Sequence, residues 1–529
     1  MMLDRMVPVG ETGRSVDDTK QTVPRSIVPR LCNLILYGFF SSILLINPFS
    51  VFATGLEITS NDVNKALLLY EGKPVVAFGA SPQGILTDLS KSGSSDLNDW
   101  MEWAKKFSIK NVRSYPPSSL ENCPEKNVFQ ISKIGSGKVD LDLFNEKYFD
   151  ELRKACGRLK EQKIIVHFQL WQAVSWKKEW DKNYYNPINN VNPDLSMHAG
   201  PGEFVTMKNP VLLRHQKEYV RKILDATGDL GNVFYDIMNE IGNGTGTNEE
   251  WVWEIIKTVR DWEKEKKSKV LLTLNDEGGR NMGEFSLECK GLDLIVKDLG
   301  RYDEHVEAKQ RYGKPTISVR NIDYNYKNKK RLYFFGKYNL EVNKDKNLQT
   351  RGRKYWWRMY MAGVQIAGGY ADSIPVNPSF LSKVADYFGI GERGKINEYE
   401  SSYRLNTIAE KNYYNFYKFT ELVTDYKNFR MASDVLKEHP VTNSYCLQSN
   451  KEAIIYLESP NGEAGYTYKE KKATIKGLML KDGIHKGSIY FPDSGNKRGF
   501  AIKVVRGTGE ITLPSFKDDL AIIINSASN

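Results

Sequence analysis

Cysteine and histidine are scarce in this chain of 529 residues, which contains five cysteines and six histidines. The cysteines are widely spread, and none has the close spacing that is typical of metal ligands. We therefore expect mostly buried free thiols, with one or two disulfides as the alternative in an exported protein.

Motifs for cofactor chemistry are also missing from the sequence. It has no phosphate-binding Gly-Lys-Ser/Thr loop, no nucleophile elbow and no His-Glu-x-x-His helix. No internal repeat or low-complexity tract is present either. The sequence therefore predicts neither a metal ion nor a nucleotide cofactor.

A long basic block interleaved with aromatic residues is another absence. The net charge is +10, but the basic residues are scattered, with only short clusters at 264–267 and 327–331. Nucleic acid is therefore not a predicted partner, whereas an acidic polysaccharide or an anionic lipid surface fits this charge. The 29 tyrosines and 10 tryptophans suit sugar rings as well as protein cores.

The N-terminal part carries one mostly apolar stretch, from Leu31 to Ala53, of about membrane-spanning length. Two arginines precede it, and Val51 and Ala53 suit the −3 and −1 positions of a cleavage site. We interpret residues 1–53 as a leader and secretory signal cleaved after Ala53, with an uncleaved signal anchor as the alternative. Either reading predicts a secreted or cell-surface protein that contacts a membrane only through this segment.

From about Lys73 the chain alternates short apolar runs with longer amphipathic stretches, which favours βα units around a parallel sheet. The predicted strands are Val75–Gly79, Asn111–Ser114, Ile164–Leu170, Val233–Met238, Val270–Leu274, Leu292–Lys297, Thr316–Val319 and Val364–Ala367. Eight such strands predict an α/β fold with one (β/α)8 TIM barrel, which we assign to residues 54–440 with its flanking helices.

The helical segments have apolar positions at helical spacing. Helices are predicted from Asp96 through Phe107, from Asn209-Pro210, and from Trp251 through Trp262. We interpret the tryptophans of these helices as core residues. A further helical segment is predicted over 396–439.

The residue pattern of the sequence changes after Pro440. Short β-type runs alternate there with Gly, Pro, Asn and Asp. This pattern predicts a small antiparallel all-β sandwich domain over residues 441–529.

The most informative motif is Asn239-Glu240, which closes the apolar run Val233–Met238. The glycine-rich stretch 242–246 follows it. A buried strand that ends in polar residues brings a carboxylate to the rim of a barrel, where the active sites of such barrels lie.

The segment from Gln216 to Glu240 resembles the fourth βα unit of clan A glycoside hydrolases, the group that contains the family 5-like TIM barrels of the cellulases. Asn111-Val112-Arg113 is similar to the second strand of that clan, whose arginine supports the active site. Residues 512–522 resemble the end of the β-sandwich that is often appended. The resemblance implies that Glu240 is the general acid/base and that Asn239 binds a sugar hydroxyl.

The chain departs from the pattern of the clan at the seventh strand. Tyr312–Val319 is similar to that strand, but Arg320 follows where the nucleophilic glutamate is expected. A guanidinium cannot attack carbon, and beside Glu240 it would lower the pKa of that carboxyl, the wrong direction for a general acid.

Three interpretations of this departure stay open. Another carboxylate serves as nucleophile or base, with Glu277 at the fifth strand end first, followed by Asp323, Asp298 and Asp372. Alternatively, Arg320 binds the carboxylate of an acidic sugar, whose planar geometry a guanidinium matches. Finally, the barrel only binds glycans.

Further candidate substrate-binding residues follow the third and sixth strands. Trp171 or Trp176 is a possible stacking platform for a sugar ring, and Tyr302 is placed in the cleft. His167, inside the third strand, is interpreted as a hydrogen-bonded core residue.

The sequence as a whole predicts a glycoside hydrolase that acts on an extracellular polysaccharide or glycoconjugate. The alternative is a non-catalytic glycan-binding surface protein. The sequence carries no signal for an oligomeric state.

Overall fold

A computed structural model of the chain describes residues 55–60, 66–79, 81–82, 85–87, 89, 95–121, 124–134, 137–173, 179–195, 200–241, 249–275, 283–297, 302–319, 322–325, 330–333, 346–368, 370–371, 407–432, 435–436, 443–460 and 464–526. The predicted leader and signal lie outside these residues. No helix in the described part is both long enough and apolar enough to cross a membrane.

The strands are β1 (Leu56–Thr59), β2 (Leu67–Tyr70), β3 (Lys73–Pro74), β4 (Ala77–Phe78), β5 (Ser81–Pro82), β6 (Asn111–Ser114), β7 (Phe129–Ile131), β8 (Val139–Phe144), β9 (Ile165–Gln169), β10 (Val233–Asp236), β11 (Leu272–Thr273), β12 (Ile295–Lys297), β13 (Thr316–Ser318), β14 (Ile322–Asn325), β15 (Lys330–Tyr333), β16 (Ile366–Ala367), β17 (Tyr370–Ala371), β18 (Arg430–Ala432), β19 (Asn443–Gln448), β20 (Glu452–Glu458), β21 (Thr467–Tyr468), β22 (Lys471–Ile475), β23 (Gly483–Tyr490), β24 (Lys497–Val505), β25 (Thr508–Leu513), β26 (Phe516–Lys517) and β27 (Asp519–Asn525). The helices are α1 (Ser95–Lys106), α2 (Glu146–Glu161), α3 (Pro210–Thr227), α4 (Glu249–Lys266), α5 (Gly283–Glu288), α6 (Tyr302–Tyr312), α7 (Lys346–Met361) and α8 (Thr407–Thr420).

All eight predicted barrel strands are present, as β4, β6, β9, β10, β11, β12, β13 and β16. They form two four-stranded parallel arcs, β6-β9-β10-β11 and β12-β13-β16-β4. The arcs join where the backbone N–H of Leu294 donates to the carbonyl of Leu272 at 3.1 Å. Because the last strand, β16, pairs with the first, β4, the strands curl back on themselves in chain order.

Alternate residues of these strands enter two separate cores. In β10, Phe234 belongs to the inner cluster, whereas Val233 and Tyr235 belong to the outer one, with the helices. The same alternation occurs in β9, where Ile165 is in the inner cluster and Val166 in the outer. The period of two is that of a sheet with side chains on both faces, and both faces here are buried.

The inner cluster draws on almost every parallel strand or the residues that flank it. Its members are Leu68, Tyr70, Val75, Ala77, Ile165, Phe234, Leu271, Leu294, Val296, Ile317, Val319 and Ile366. Leu68 and Tyr70 come from the small antiparallel sheet β1-β2-β3. A shared interior of this kind is what the strands of a barrel build.

Helix α3 shows how local sequence fixes an element. Asn209 caps the helix by accepting the N–H of Leu212 at 3.0 Å, and Pro210 occupies the first turn, where its missing N–H costs nothing. The helix ends at Gly228, whose N–H returns to the carbonyl of Leu224. Its buried face includes Ile223, and each such large apolar side chain contributes about 2 kcal/mol on burial.

The other helical predictions have a mixed outcome. The predicted helices around Trp100 and Trp251 are confirmed as α1 and α4, with both indoles buried. The helix predicted over 396–439 is wrong in its C-terminal half, because α8 ends at Thr420 and β18 follows. Strand β18 pairs with β19, so hydrogen bonding to the C-terminal sheet overrides local helical spacing there.

The predicted free thiols are confirmed for Cys156, Cys289 and Cys446, which are buried and unbridged. Burial raises the pKa of Cys156 and Cys446 to about 12, so both thiols stay protonated and inert. Cys32 and Cys123 lie outside the described residues.

The C-terminal part is antiparallel, as predicted. Eight strands form one sheet in the order β18-β19-β20-β27-β23-β24-β25-β22. The sheet curls over a core of its own, to which Ile455 of β20, Ile475 of β22 and Leu513 of β25 all contribute. Strand β20 is buried along its whole length, because the alternate residues Ile454 and Tyr456 belong to the outer cluster, with the helices.

Helix α7 joins the sheet to the barrel strands through stacked rings and a buried ion pair. Trp357 stacks on Tyr456 with ring centroids 5.2 Å apart. The Arg353 guanidinium donates to both oxygens of Asp519, at 2.5 and 3.0 Å, and Asp519 also accepts the Tyr456 hydroxyl at 3.0 Å. A charge pair this buried is tolerated only because every partner is in place.

Replacing Asp519 by Asn is expected to lower the free energy of unfolding by about 3 to 5 kcal/mol, because it leaves the Arg353 charge buried without its counterion. Urea unfolding measures the change. The matched control is Asp229→Asn, whose partner Arg153 is exposed, and it should cost about 1 kcal/mol or less. Equal losses in the two variants would contradict this account of the interface.

A second stability prediction concerns His305 on α6, which is fully buried, and neither ring nitrogen has a hydrogen-bond partner among the described residues. Burial, with a smaller contribution from the Lys297 charge, lowers the pKa of His305 from 6.5 to about 3. The unfolded state therefore takes up a proton below pH 6.5 that the folded state refuses. Stability is lost as the pH falls from there.

Between about pH 7.5 and pH 5 this single histidine should cost about 2 kcal/mol of stability, at 1.36 kcal/mol for each pH unit below the pKa of the unfolded state. Replacing His305 by Leu should remove that share of the pH dependence. Thermal or urea unfolding of both proteins at the two pH values measures it, and parallel pH profiles would refute the prediction.

Candidate active site

Asn239 is the centre of a buried polar network at the carboxyl ends of the parallel strands. Its Oδ1 accepts from Arg113 Nη2 at 2.6 Å and from Asn275 Nδ2 at 2.8 Å. Its Nδ2 donates to Gln172 Oε1 at 2.8 Å. Side chains from the ends of the second, third and fifth strands therefore converge on the end of the fourth.

The guanidinium of Arg113 extends this network across the strands to the seventh. Its Nη1 donates to the backbone carbonyl of Val319 at 3.3 Å, while Nη2 holds Asn239. One side chain thus spans the ends of the fourth and seventh strands, the two strand ends at which clan A glycoside hydrolases carry their carboxylates. The supporting role of Arg113 in the active site stays a prediction.

Below Asn239, the carboxylate of Asp236 organises a second layer. Its Oδ2 is 3.1 Å from His167 Nε2 and accepts from Gln169 Nε2 at 3.3 Å. Its Oδ1 accepts the backbone N–H of Asn275 at 3.0 Å. The layer is fully buried, so each of these hydrogen bonds offsets the cost of taking a polar group out of water.

The prediction that His167 is a hydrogen-bonded core residue is confirmed. Its ring stacks on Phe234 with centroids 4.6 Å apart and contacts Asp236. Burial lowers the pKa of His167, and this effect outweighs the opposing pull of Asp236. The buried ring helps to hold Asp236 in place.

Glu240 follows this network in an unusual backbone conformation. Its φ is +55°, in the left-handed region that costs a residue with a side chain on the order of 1 to 3 kcal/mol. Backbone hydrogen bonds of the two neighbouring residues stabilise this conformation. The N–H of Asn239 donates to the carbonyl of Trp171 at 3.0 Å, and the N–H of Ile241 donates to the carbonyl of Asn275 at 3.2 Å. The half-buried Glu240 is thereby fixed between the ends of the third and fifth strands.

A pocket beside this network is bordered mainly by aromatic rings. Gln172 belongs to both the pocket wall and the network. The other lining residues are Pro117, Ser118, Phe129, Trp171, Asn183, Tyr184, Tyr185, Phe204 and Tyr219.

The rings of Trp171 and Tyr302 both pack against other aromatic side chains of the protein. Trp171 is only 5% exposed and packs on Tyr219 and Trp251, so its ring is part of the core, and its stacking on a sugar stays a prediction. Tyr302 contacts Tyr445 of the C-terminal sheet, with ring centroids 4.6 Å apart. Its predicted place in the cleft is likewise untested.

The remaining candidates follow the third, fifth, sixth, seventh and eighth strands in the sequence. Trp176, Glu277, Asp298, Arg320 and Asp372, and the side chain of Asp323, lie outside the described residues. For Asp323 only the backbone is described, paired with Leu332 in the hairpin of β14 and β15.

Comparison with known proteins gives the fold class of the molecule. No protein-family model matches the chain, and no curated protein matches it in sequence. Solved structures do match, glycoside hydrolases among them, and these imply a TIM barrel for the parallel strands.

One such structure, named simply a glycoside hydrolase, has a TM-score of 0.55 at 10% identity, and the match covers 90% of this chain and 98% of that one. A family 5 glycoside hydrolase from Bacteroides vulgatus ATCC 8482 has a TM-score of 0.53 at 11% identity, covering 89% and 93%. Another structure from that organism, provisionally named a glycoside hydrolase, reaches 0.59 at 12% identity, covering 89% and 82%. The chain therefore resembles family 5 glycoside hydrolases of clan A in fold, as its fourth βα unit indicated.

Replacing Arg113 by Lys tests whether the network depends on a guanidinium that donates to Asn239 and Val319 at the same time. An ammonium cannot hold Asn239 and Val319 together, so the free energy of unfolding should fall by about 1 to 3 kcal/mol. The control is Arg221→Lys on the surface of α3, whose partner Glu265 is exposed and whose loss should be about 0.5 kcal/mol. Urea unfolding separates the two, and an Arg113 variant as stable as the control would contradict the proposed role.

Proposed function

We propose that this protein is a glycoside hydrolase in which Glu240 is the general acid/base. The observation that carries the proposal is the position of Asn239-Glu240 at the carboxyl end of β10, held by Arg113, Gln172 and Asn275. The same position on a glycoside hydrolase fold is where clan A enzymes carry their proton donor.

The eight strands are proposed to close into a (β/α)8 barrel. Seven of the eight contacts between neighbouring strands are supported, six by parallel pairing and one by the hydrogen bond from Leu294 to Leu272. The remaining contact would join β4 to β6. Closure brings the strand ends to one rim, around the network of Asn239.

The reaction requires two carboxyl groups with different tasks. Glu240 would protonate the leaving glycosidic oxygen, and Asn239 would bind a sugar hydroxyl near the reacting carbon. The second carboxylate would attack the anomeric carbon in a retaining enzyme, or take a proton from water in an inverting one. The separation of the two groups, about 5 Å or about 6.5 to 9.5 Å, would decide the stereochemical outcome.

Glu277 is our first candidate for the second carboxylate. It follows Asn275 by two residues, and Asn275 is hydrogen-bonded to both the Asn239 side chain and the backbone of Ile241. We propose on this ground that Glu277 is the partner of Glu240. Asp323, Asp298 and Asp372 remain further candidates.

A second function is favoured by Arg320, which stands where the clan carries its nucleophile. In this alternative the protein binds glycans without cleaving them, and Arg320 pairs with the carboxylate of an acidic sugar. The net charge of +10 suits such a ligand.

The finer assignments are part of the same proposal. Residues 1–53 form a leader with a cleaved signal or an anchor, 54–440 the barrel and 441–529 a β-sandwich, and the protein acts outside the cell or on its surface. The substrate is a polysaccharide or glycoconjugate.

Replacing Glu240 by Gln tests the enzymatic proposal. Loss of the proton donor should lower kcat by about 10² to 10⁴ on any glycan that the wild type cleaves. Release of reducing sugar from a glycan library, neutral and uronic-acid polymers included, gives the measurement. Unchanged turnover would exclude Glu240 as the acid.

The matched control is Glu249→Gln, an exposed carboxylate in the first turn of α4 that should leave turnover as it is. Binding of a uronic-acid polymer without any hydrolysis by the wild type, lost in an Arg320→Gln variant, would favour the glycan-binding alternative.

A further inference from the structure

A cluster of three potential metal ligands lies apart from the network of Asn239, between β8 and α3. Its members are Asp142 of β8 and His215 and Glu218 of α3, and one ligand atom from each lies within 4.8 Å of the others. His215 and Glu218 are three positions apart, so they lie on one face of the helix.

The buried nitrogen of His215 points into this cluster. The side chain is 1% exposed, and its Nδ1 has no hydrogen-bond partner among the described residues. Nδ1 is 3.6 Å from Asp142 Oδ1 and 3.7 Å from Glu218 Oε2. A buried polar atom without a partner is costly, so its position between two carboxylates calls for a ligand.

The distances suit ligands of one ion better than hydrogen bonds. They exceed the roughly 3.2 Å limit of a good N–H···O bond. Nitrogen and oxygen ligands lie about 2.1 Å from Zn²⁺, which separates two ligands of the same ion by about 3.0 to 3.5 Å. The two gaps to His215 Nδ1 close to that separation with side-chain shifts of only a few tenths of an ångström.

Asn192 holds Asp142 in the orientation that such a site needs. Its Nδ2 donates to Asp142 Oδ2 at 3.0 Å and to Asp140 Oδ1 at 3.2 Å, and its Oδ1 accepts the N–H of Leu141 at 2.9 Å. The other oxygen of Asp142, Oδ1, is left towards His215. Supporting hydrogen bonds of this kind are typical of ligating carboxylates.

The cation now between the carboxylates is the guanidinium of Arg214. Its Nη1 is 3.2 Å from Asp142 Oδ1 and 3.1 Å from Glu218 Oε1, and its Nη2 is 3.1 Å from His215 Nε2. The Arg214 side chain is 47% exposed and can turn into solvent. Because an arginine only donates, Nε2 accepts here and the ring proton is on Nδ1.

We propose that Asp142, His215 and Glu218 bind one divalent transition-metal ion, with Zn²⁺ as its representative, and that the ion replaces the Arg214 guanidinium. One imidazole with two carboxylates and water is a ligand set that suits Zn²⁺. On binding, the ring proton moves from Nδ1 to Nε2, which the departure of Arg214 frees to face solvent.

The bound ion would tie β8 to α3 and stiffen the wall of the aromatic pocket. Tyr219 of that wall follows Glu218 directly, and Asn192 lies in the segment 179–195, which also carries Tyr184 and Tyr185. The role is therefore structural and independent of the glycosidase proposal.

Sequence motifs predicted no metal, because Asp142 is far from the helix in the chain.

The test is calorimetric titration of the full chain, freed of metal with a chelator, with ZnCl2 at pH 7. The wild type should bind one Zn²⁺ per chain saturably, and its thermal midpoint should rise with the ion. Glu218→Gln should weaken this binding roughly tenfold or more, since a ligand is lost. Arg214→Gln should tighten it about tenfold, since the competing cation is gone.

Both substituted side chains are partly exposed, so the variants should fold. The matched control is Glu254→Gln on α4, which loses a carboxylate paired with Lys217 and should bind Zn²⁺ like the wild type. Three results would overturn the proposal. The first is that neither the wild type nor Arg214→Gln binds one Zn²⁺ per chain. The others are a Zn²⁺ affinity of Glu218→Gln equal to that of the wild type, and Mg²⁺ binding as tight as Zn²⁺ binding.

Discussion

The hydrogen bonds of the Arg113 guanidinium are the constraint on which the candidate active site depends. A buried charge needs partners, and the structure supplies them from the side chain of Asn239 and the carbonyl of Val319. The fourth and seventh strand ends are thereby held at a fixed separation. Asn275 and Gln172 bind the same amide, so the position of Glu240 is set by four strand ends together.

A similar rule governs the junction of the barrel strands with the C-terminal sheet. The pair of Arg353 and Asp519 is fully enclosed, and Tyr456 both satisfies Asp519 and stacks on Trp357. Apolar packing would hold these surfaces together in many registers. The buried ion pair accepts only one, at the cost of desolvating two charges.

Sequence periodicity predicted the elements of the fold well. The eight parallel strands follow from short apolar runs, and the start of α3 follows from the Asn209-Pro210 pair, since both signals are local. Strand β18 was missed because its pairing with β19 is set by tertiary contacts.

The site was only half predictable. Asn239-Glu240 and Arg113 carry a recognisable pattern, but Asp236 and Asn275 act through contacts between strand ends that no local spacing encodes. The sequence did contain a signal for Asp236, because it is the one charged residue inside the apolar run Val233–Met238. The Asp142 cluster gave none, because its ligands meet only after β8 packs against α3.

Strand β20, buried on both faces, limits how this protein can evolve. Ile454 and Tyr456 face the cluster that includes Trp357, while Ile455 and Leu457 face the curled sheet. A gene that lost the C-terminal segment would leave tryptophan exposed on α7, and a transplanted sheet would expose its own apolar stripe. The two parts are therefore expected to be inherited together, and expression of either alone should yield an aggregating product.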